Sequence, residues 1–243
     1  METKVTFIYD YKNIDIPEPL VDLKIDLRGF IETQCEMLAQ KHSKIELPNG
    51  QSPILTDDMV KAEELPGVET VEQYRAALER EVPQVIVSEQ ANVIVMHVLI
   101  PQLVERSTFE INDEEASAAG QETLEAFEKQ AEEIEISVEE LGRRQLGVPT
   151  LDEGQVRQHV LTMGRTDFLF RVLAKEYYRR QGQVYDLAGY AAYVKELEEM
   201  SDMTEDQIRA IFPPHVFMNE MPTLAMLDEL TRWVTEKIHL TTE

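Results

Sequence analysis

Four helix-like stretches after Pro53 are each opened by a Ser or Thr three residues ahead of a Glu or Gln: Thr70/Gln73, Ser137/Glu140, Thr150/Glu153 and Thr204/Gln207. In such a capping box the two side chains satisfy each other's free backbone amides at a helix start. Each pair opens a stretch with apolar residues at steps of three and four, so nearly everything beyond Pro53 reads as helix. Val71, Tyr74, Leu78 and Val82 make one such face, and Val156, Val160, Met163, Phe170, Ala174 and Tyr177 a longer, near-heptad stripe. Helices of this length need partners to cover those stripes.

Other segments read in the same way. Asn112 with Glu115 opens a helix carrying Ala116, Ala119, Thr123, Phe127 and Ile134. Pro83 to Arg106 is apolar on most sides, which predicts a central, buried helix that Pro101 kinks or interrupts. The last third adds faces at Leu187, Tyr190, Val194 and Leu197, at Ile208, Ile211 and Phe212, and at Leu227, Leu230 and Val234.

Ahead of Pro53 the pattern differs. Val5, Phe7, Tyr9 and Tyr11 alternate with Lys4, Thr6, Ile8 and Asp10, a strand period. Pro17 and Pro19 then allow only an extended edge. From about Asp26 the residues Leu27, Ile31, Cys35 and Leu38 predict a helix ending near Lys44, and Leu47 to Pro53 is a dense turn signal. The 11 prolines and 10 glycines are scattered, with no flexible linker.

Charge excludes one class of partner. Acidic residues number 47 and basic ones 23, a formal net charge of −24. Nucleic-acid binding draws its affinity from clustered Lys and Arg, and the pairs Arg143-Arg144 and Arg179-Arg180 read as solvated helix ends. The single Cys35 fits a small buried hydrophobe and a reducing compartment. The N-terminus lacks the order of a signal peptide, and the apolar run Val93 to Ile100, broken by His97, is too short for a bilayer. A cytoplasmic protein with no membrane partner is expected.

No reaction chemistry is legible. The histidines, His42, His97, His159, His215 and His239, sit in no nucleophile or metal-ligand spacing; His97 reads as a satisfied core residue and His159 as exposed. The glycines fall singly, so no phosphate loop exists. Runs such as Glu132-Glu133 and Glu198-Glu199 read as solvated faces. No catalytic residue, metal ligand or cofactor is assigned.

Several phrases then fall in a known order. Leu55-Thr-Asp-Asp-Met-Val-Lys61 is followed by Gly67-Val-Glu-Thr-Val-Glu-Gln-Tyr-Arg75, by the apolar helix ending Gln102-Leu-Val-Glu-Arg-Ser107, and by Phe109-Glu-Ile-Asn-Asp-Glu114, with Asn112 where a proline is usual. Tyr190 to Leu197, Met203 to Arg209 and Leu227 to Thr241 continue the series. This order resembles the C-terminal chaperone domain of trigger factor, over residues 55 to 243, with Ile14 to Lys44 resembling the piece that precedes that family's prolyl-isomerase insertion.

The resemblance implies a mainly α fold: an elongated helical body with two helical arms, of the class shared with SurA-like peptide-binding domains, plus a small N-terminal extended or β element. It implies one discontinuous-type domain over 1–243, with strand and helix in 1–47, a turn at 48–54 replacing the isomerase insertion, and body and arms in 55–243. The ribosome-docking loop, Gly-Phe followed by basic residues, has no counterpart, since Gly29-Phe30 runs into Ile31-Glu32.

The implied function is ATP-independent, chaperone-like binding of unfolded, nascent or apolar polypeptide segments in a helical cradle, without enzymatic activity or ribosome binding; self-association stays open. The alternative is a structural adaptor or oligomerising protein with one folded partner. The first arm would present Leu141, Leu146 and Val148, and the second Met200, Met203, Ile211, Phe212, Phe217, Met218 and Met221. Five of the ten methionines, counting Met226, fall in that second arm and its return. Flexible thioethers suit promiscuous apolar contact, and equally suit irregular core gaps.

Overall fold

A computed structural model of the protein describes residues 2–43, 53–146, 152–201 and 203–243. Most of the expected turn at 48–54, Thr150 and the candidate Val148 lie outside them. Strand β1 (Lys4–Phe7) leads through a 3-10 turn at Tyr11–Asn13 to α1 (Glu18–Val21), β2 (Asp22–Ile25), α2 (Leu27–His42) and α3 (Asp57–Lys61). Next come α4 (Val71–Ile94), a π-helical stretch at Val95–Leu99, α5 (Ile100–Arg106), β3 (Thr108–Glu110), α6 (Asp113–Glu133), α7 (Val138–Gln145) and α8 (Glu153–Arg180). The chain closes with α9 (Leu187–Met200), α10 (Glu205–Ile211), α11 (Pro214–Thr235) and β4 (His239–Thr242). The fold is mainly α with a small strand element, as the periodicity predicts.

Caps set most of these starts. Thr70/Gln73 and Thr204/Gln207 form complete capping boxes at α4 and α10. Ser137 accepts only the Glu140 amide, 3.1 Å away. The box of α8 is formed by Asp152 and Gln155, so the helix starts at Glu153. Pro17 and Pro19 sit at the start of the helical turn α1, where a missing N–H costs nothing, and the extended stretch comes after them as β2.

Pro101 interrupts its helix as expected, but upstream of itself. Its ring excludes the carbonyl of His97 and it offers no N–H, so the ladder widens to the π register over Val95–Leu99. The expectation of burial on most sides is corrected. Ala91, Ile94, Leu99 and Leu103 make a buried stripe, while Val85, Val93, Met96 and His97 are exposed. His97 is thus a surface residue, because it lies across the helix from Val95. The apolar stretch is also longer than Val93 to Ile100: the helix Val71–Arg106 holds an 18-residue window of mean hydropathy 1.2, enough by length and composition to cross a membrane.

The chain divides into two compact units, Met1–Ile14 with Met96–Leu230, and Asp15–Val95 with Thr231–Glu243. In the first, β1 pairs antiparallel with β3 (Val5 opposite Phe109), and α6 lies along α8. Small residues set that approach. A Cβ on Gly120 would stand 2.8 Å from the Leu161 carbonyl oxygen, and one on Gly164 2.4 Å from Thr123 Oγ1 and 2.9 Å from the Ala119 carbonyl oxygen. The near-heptad stripe of α8 is buried at Val156, Val160, Phe170 and Ala174, and Met163 alone stands exposed. α7 closes over Val156, with Leu141 buried.

In the second unit β2 runs parallel to β4, with Leu23 opposite Leu240. Arg75 on α4 grips Glu32 on α2 with two bonds of 2.6 and 2.8 Å. Beside it Cys35 is buried, as expected, and burial raises its thiol pKa. Glu63 takes Lys41 Nζ at 2.7 Å and His42 Nε2, and these bonds hold its carboxyl below the usual range.

Candidate binding surface

Helices α9, α10 and the first half of α11 form a module around one ring. Asp186 caps α9 by accepting the Gly189 amide at 2.8 Å, and Tyr190, one turn on, donates its hydroxyl to the Phe212 carbonyl at 2.7 Å. That bond fixes the end of α10 against the first turns of α9. Phe217 of α11 sits at the centre, its ring 5.1 Å from Tyr193, 5.6 Å from Tyr190 and 5.6 Å from Tyr185. Val194 and Ile208 complete the buried cluster, and the Arg209 guanidinium covers Tyr190 from outside at 5.2 Å. Aromatic pairs at these spacings add to the burial of their large apolar areas.

The candidate residues divide by their relation to this ring. Phe217 is 5 % exposed and belongs to the core, and so does Leu141 of α7 at 1 %. Both are corrected as surface contacts: helical spacing brings them to a face, and the neighbouring helices cover it. Leu146 is half-buried against the cluster of Leu124, Val156 and Val160. Met203, Met218 and Met221 pack half-buried against the Phe217 cluster, and Phe212 is half-buried with its ring 6.3 Å from Tyr193. Met226 is buried. Among the described candidates only Met200 and Ile211 stand exposed.

Sequence reasoning missed other members of the exposed set. Val184 is 61 % exposed, Leu187 63 % and Leu224 54 %, beside Met200 at 76 % and Ile211 at 57 %. Leu187 was placed on the core face because it fits the spacing of Tyr190, Val194 and Leu197. As the first residue of α9 it extends beyond the ring those residues cover.

A second arrangement was not legible at all. Glu229, near the end of α11, accepts three phenols: Tyr11 and Tyr177 on Oε1, both at 2.8 Å, and Tyr178 on Oε2 at 3.1 Å. Tyr11 comes from the N-terminal segment and the other two from α8, so one carboxylate joins three parts of the first unit. Burial, then the hydrogen bond to Glu229, pushes the Tyr177 hydroxyl to about 12, and burial raises Tyr11 and Tyr178 further. Phenols held so firmly protonated serve as fixed donors and not as acids near neutral pH.

Of the paired basic residues, Arg143, Arg144 and Arg179 behave as solvated ends, whereas Arg180 also donates to the Thr6 carbonyl of β1 at 3.1 Å. Arg143 and Arg144 bond Glu139 and Glu140 one turn back at 2.7 and 2.9 Å. Arg179 and Arg180 share Glu176, and those bonds, Arg179's above all, lower its carboxyl to about 2. Among the described residues no three His, Cys, Asp or Glu side chains group to hold a metal ion. Compared with models of known protein families and with curated proteins, the chain matches none.

Proposed function

We propose that the protein binds unfolded or apolar polypeptide segments without ATP, as a chaperone-like protein, and that the α9 to α11 module provides the contacts. One observation carries this reading: the large apolar residues Val184, Leu187, Met200, Ile211 and Leu224 are each more than half exposed on the module built around one aromatic core. Scattered single exposures are ordinary, and five on one module of about forty residues support reading it as a recognition surface. Met203, Met218 and Met221, half-buried at its border, add unbranched side chains that repack against different partners. The order of phrases resembling trigger factor supports the same reading, as does a charge of −24, which keeps a protein with exposed apolar groups soluble.

The reading includes no catalytic step, no cofactor and no ribosome contact, and places the protein in the cytoplasm among unfolded or nascent chains. Dilution of a denatured client into nucleotide-free buffer tests it. Equimolar protein is expected to suppress the light scattering of the aggregating client. Scattering equal to that of the client alone would overturn the proposal.

A further inference from the structure

Helix α11 serves two cores that lie on either side of Pro222. Its first half carries Phe217 into the ring of Tyr185, Tyr190 and Tyr193, with Met218 and Met221 packed against the same cluster. Its second half carries Met226 and Leu230, both buried, and Glu229, whose bonds to Tyr11, Tyr177 and Tyr178 tie it to α8 and the N-terminal segment. Between the two halves the proline stands inside the helix. It has no N–H to give the Met218 carbonyl, so the ladder that would stiffen the junction lacks a rung there. The next residue adds a second irregularity: the buried hydroxyl oxygen of Thr223 has no hydrogen-bond partner. Such an orphan calls for an explanation, and a turn that takes up a second arrangement supplies one.

The other link between the same two cores is built alike. Near the end of α8, Tyr178 is bonded to Glu229, and the module begins with Tyr185, its ring against Phe217. Gly182 lies between them at φ +82°, the left-handed region that suits glycine, with open space where a side chain would be. Residues 181–184 are all exposed, and across this link Tyr178 and Tyr185 meet edge to face with ring centres 5.9 Å apart. Both stretches of chain that join the module to the rest of its unit thus pass through a residue with an exceptional backbone, and every member of the module's cluster lies between those two residues.

Between α11 and the pair α6 and α8 lies a cleft of about 470 Å³ into which such a turn can go. Arg171 and Lys175 of α8 line one wall, and Asn219 and Glu220, just ahead of Pro222, line the other. Among the described residues no ion pair spans the cleft. We infer that the α9 to α11 module turns as one body about Gly182 and Pro222, between the open arrangement described above and a closed one in which Glu220 lies on Arg171 and Lys175. The other two carboxylates of the cleft, Glu115 and Glu122, belong to α6, which lies along α8. They keep their places in both arrangements, and Glu115 is already engaged by the Thr3 amide at 2.9 Å, so Glu220 is the charge whose partners change. A hinge of this kind moves a few backbone angles and leaves both cores packed. It does not rest on the polypeptide-binding reading.

Pulsed EPR distance measurement tests it. In the full chain with the buried Cys35 replaced by Ala, nitroxides at M200C and Q121C, both exposed and clear of the cleft, report module against body. Two distances are expected at low salt. Salt at about 1 M, which screens charges beyond about 3 Å, should deplete one of them. Glu220→Arg should deplete the same one about tenfold, the scale of turning a favourable charge contact into an unfavourable one, and the exchange R171E/E220R should restore it. Pro222→Ala, which returns an N–H to the helix, should leave a single distance. Glu220 and Arg171 lie outside both cores, so their variants test the closed arrangement whatever Pro222→Ala does to stability. A single distance in the parent chain, two distances that ignore salt and Glu220→Arg, a loss that the exchange fails to restore, or two distances that persist in a folded Pro222→Ala would each overturn the inference. A chain with one distance that still suppresses client aggregation would remove the hinge and leave the binding reading standing.

Discussion

The α6–α8 seam and the α9–α11 module belong to the same compact unit and are built on opposite plans. At Ala119, Gly120 and Gly164 the seam is made of small residues that let backbones approach until a single methyl group would collide, and Leu124, Val156 and Val160 fill its other end. The module is made of large ones, with Phe217 ringed by Tyr185, Tyr190 and Tyr193. Close backbone approach leaves little apolar area over. A ring core between short helices leaves the helix ends uncovered, and there Leu187, Met200 and Ile211 face solvent. The lesson is that in this fold the exposed apolar surface is a by-product of how the module's core is built, and can be changed without touching that core.

The largest expected effect tests whether the ring is core. Phe217→Ala should cost about 3–5 kcal/mol in urea unfolding, the range for a buried aromatic residue, because the surrounding tyrosines cannot collapse into the space. A cost below about 1 kcal/mol would place Phe217 on the surface and erase the distinction.

Next is the anchor at Glu229. Glu229→Ala strands three phenols and should cost about 3 kcal/mol, at about 1–3 kcal/mol for each buried unpaired group less what entering water recovers. Glu229→Gln keeps an acceptor and should cost less. Alkali gives the same test by another route. Because the folded state raises the phenol pKa values, their contribution is complete below the unfolded value near 10 and is lost as pH rises towards about 12. Phenolate absorbance should therefore show these tyrosines ionising together with unfolding, and ionisation without unfolding would contradict the network.

Smaller again is the seam. Gly164→Ala should cost about 1–3 kcal/mol, the usual penalty of overpacking, since the new methyl meets the Ala119 carbonyl as well as Thr123. A neutral substitution would mean that the helices can part, and the plan attributed to the seam would be wrong. The smallest effects belong to the exposed set: Leu187→Ser, Met200→Ser, Ile211→Ser and Leu224→Ser should each stay within about 0.5 kcal/mol of wild type.

The same contrast explains what could be read from the sequence. Helix starts were legible because caps are local: Thr70 with Gln73 and Thr204 with Gln207 need only their own turn. The π register ahead of Pro101 was half-legible, since proline announces a break but not how the ladder absorbs it. Exposure at the module was not. Leu187 and Phe217 look alike in spacing and differ only in which neighbour covers them, and Met203, Met218 and Met221 were read as surface although the ring half covers them. The Glu229 network joins residues 218 positions apart through a carboxylate that looks solvated in its own helix. No local pattern encodes such a pairing.

Site-specific photo-crosslinking tests the central claim most directly. A crosslinker placed at Leu187, Met200 or Ile211 is compared with one at Gln121 or Gln158, which line the outer face of the α6–α8 seam. With a denatured client in nucleotide-free buffer, the account predicts adducts from the three module positions and none above background from the two seam positions. Equal capture from both regions, or capture from the seam alone, would contradict it.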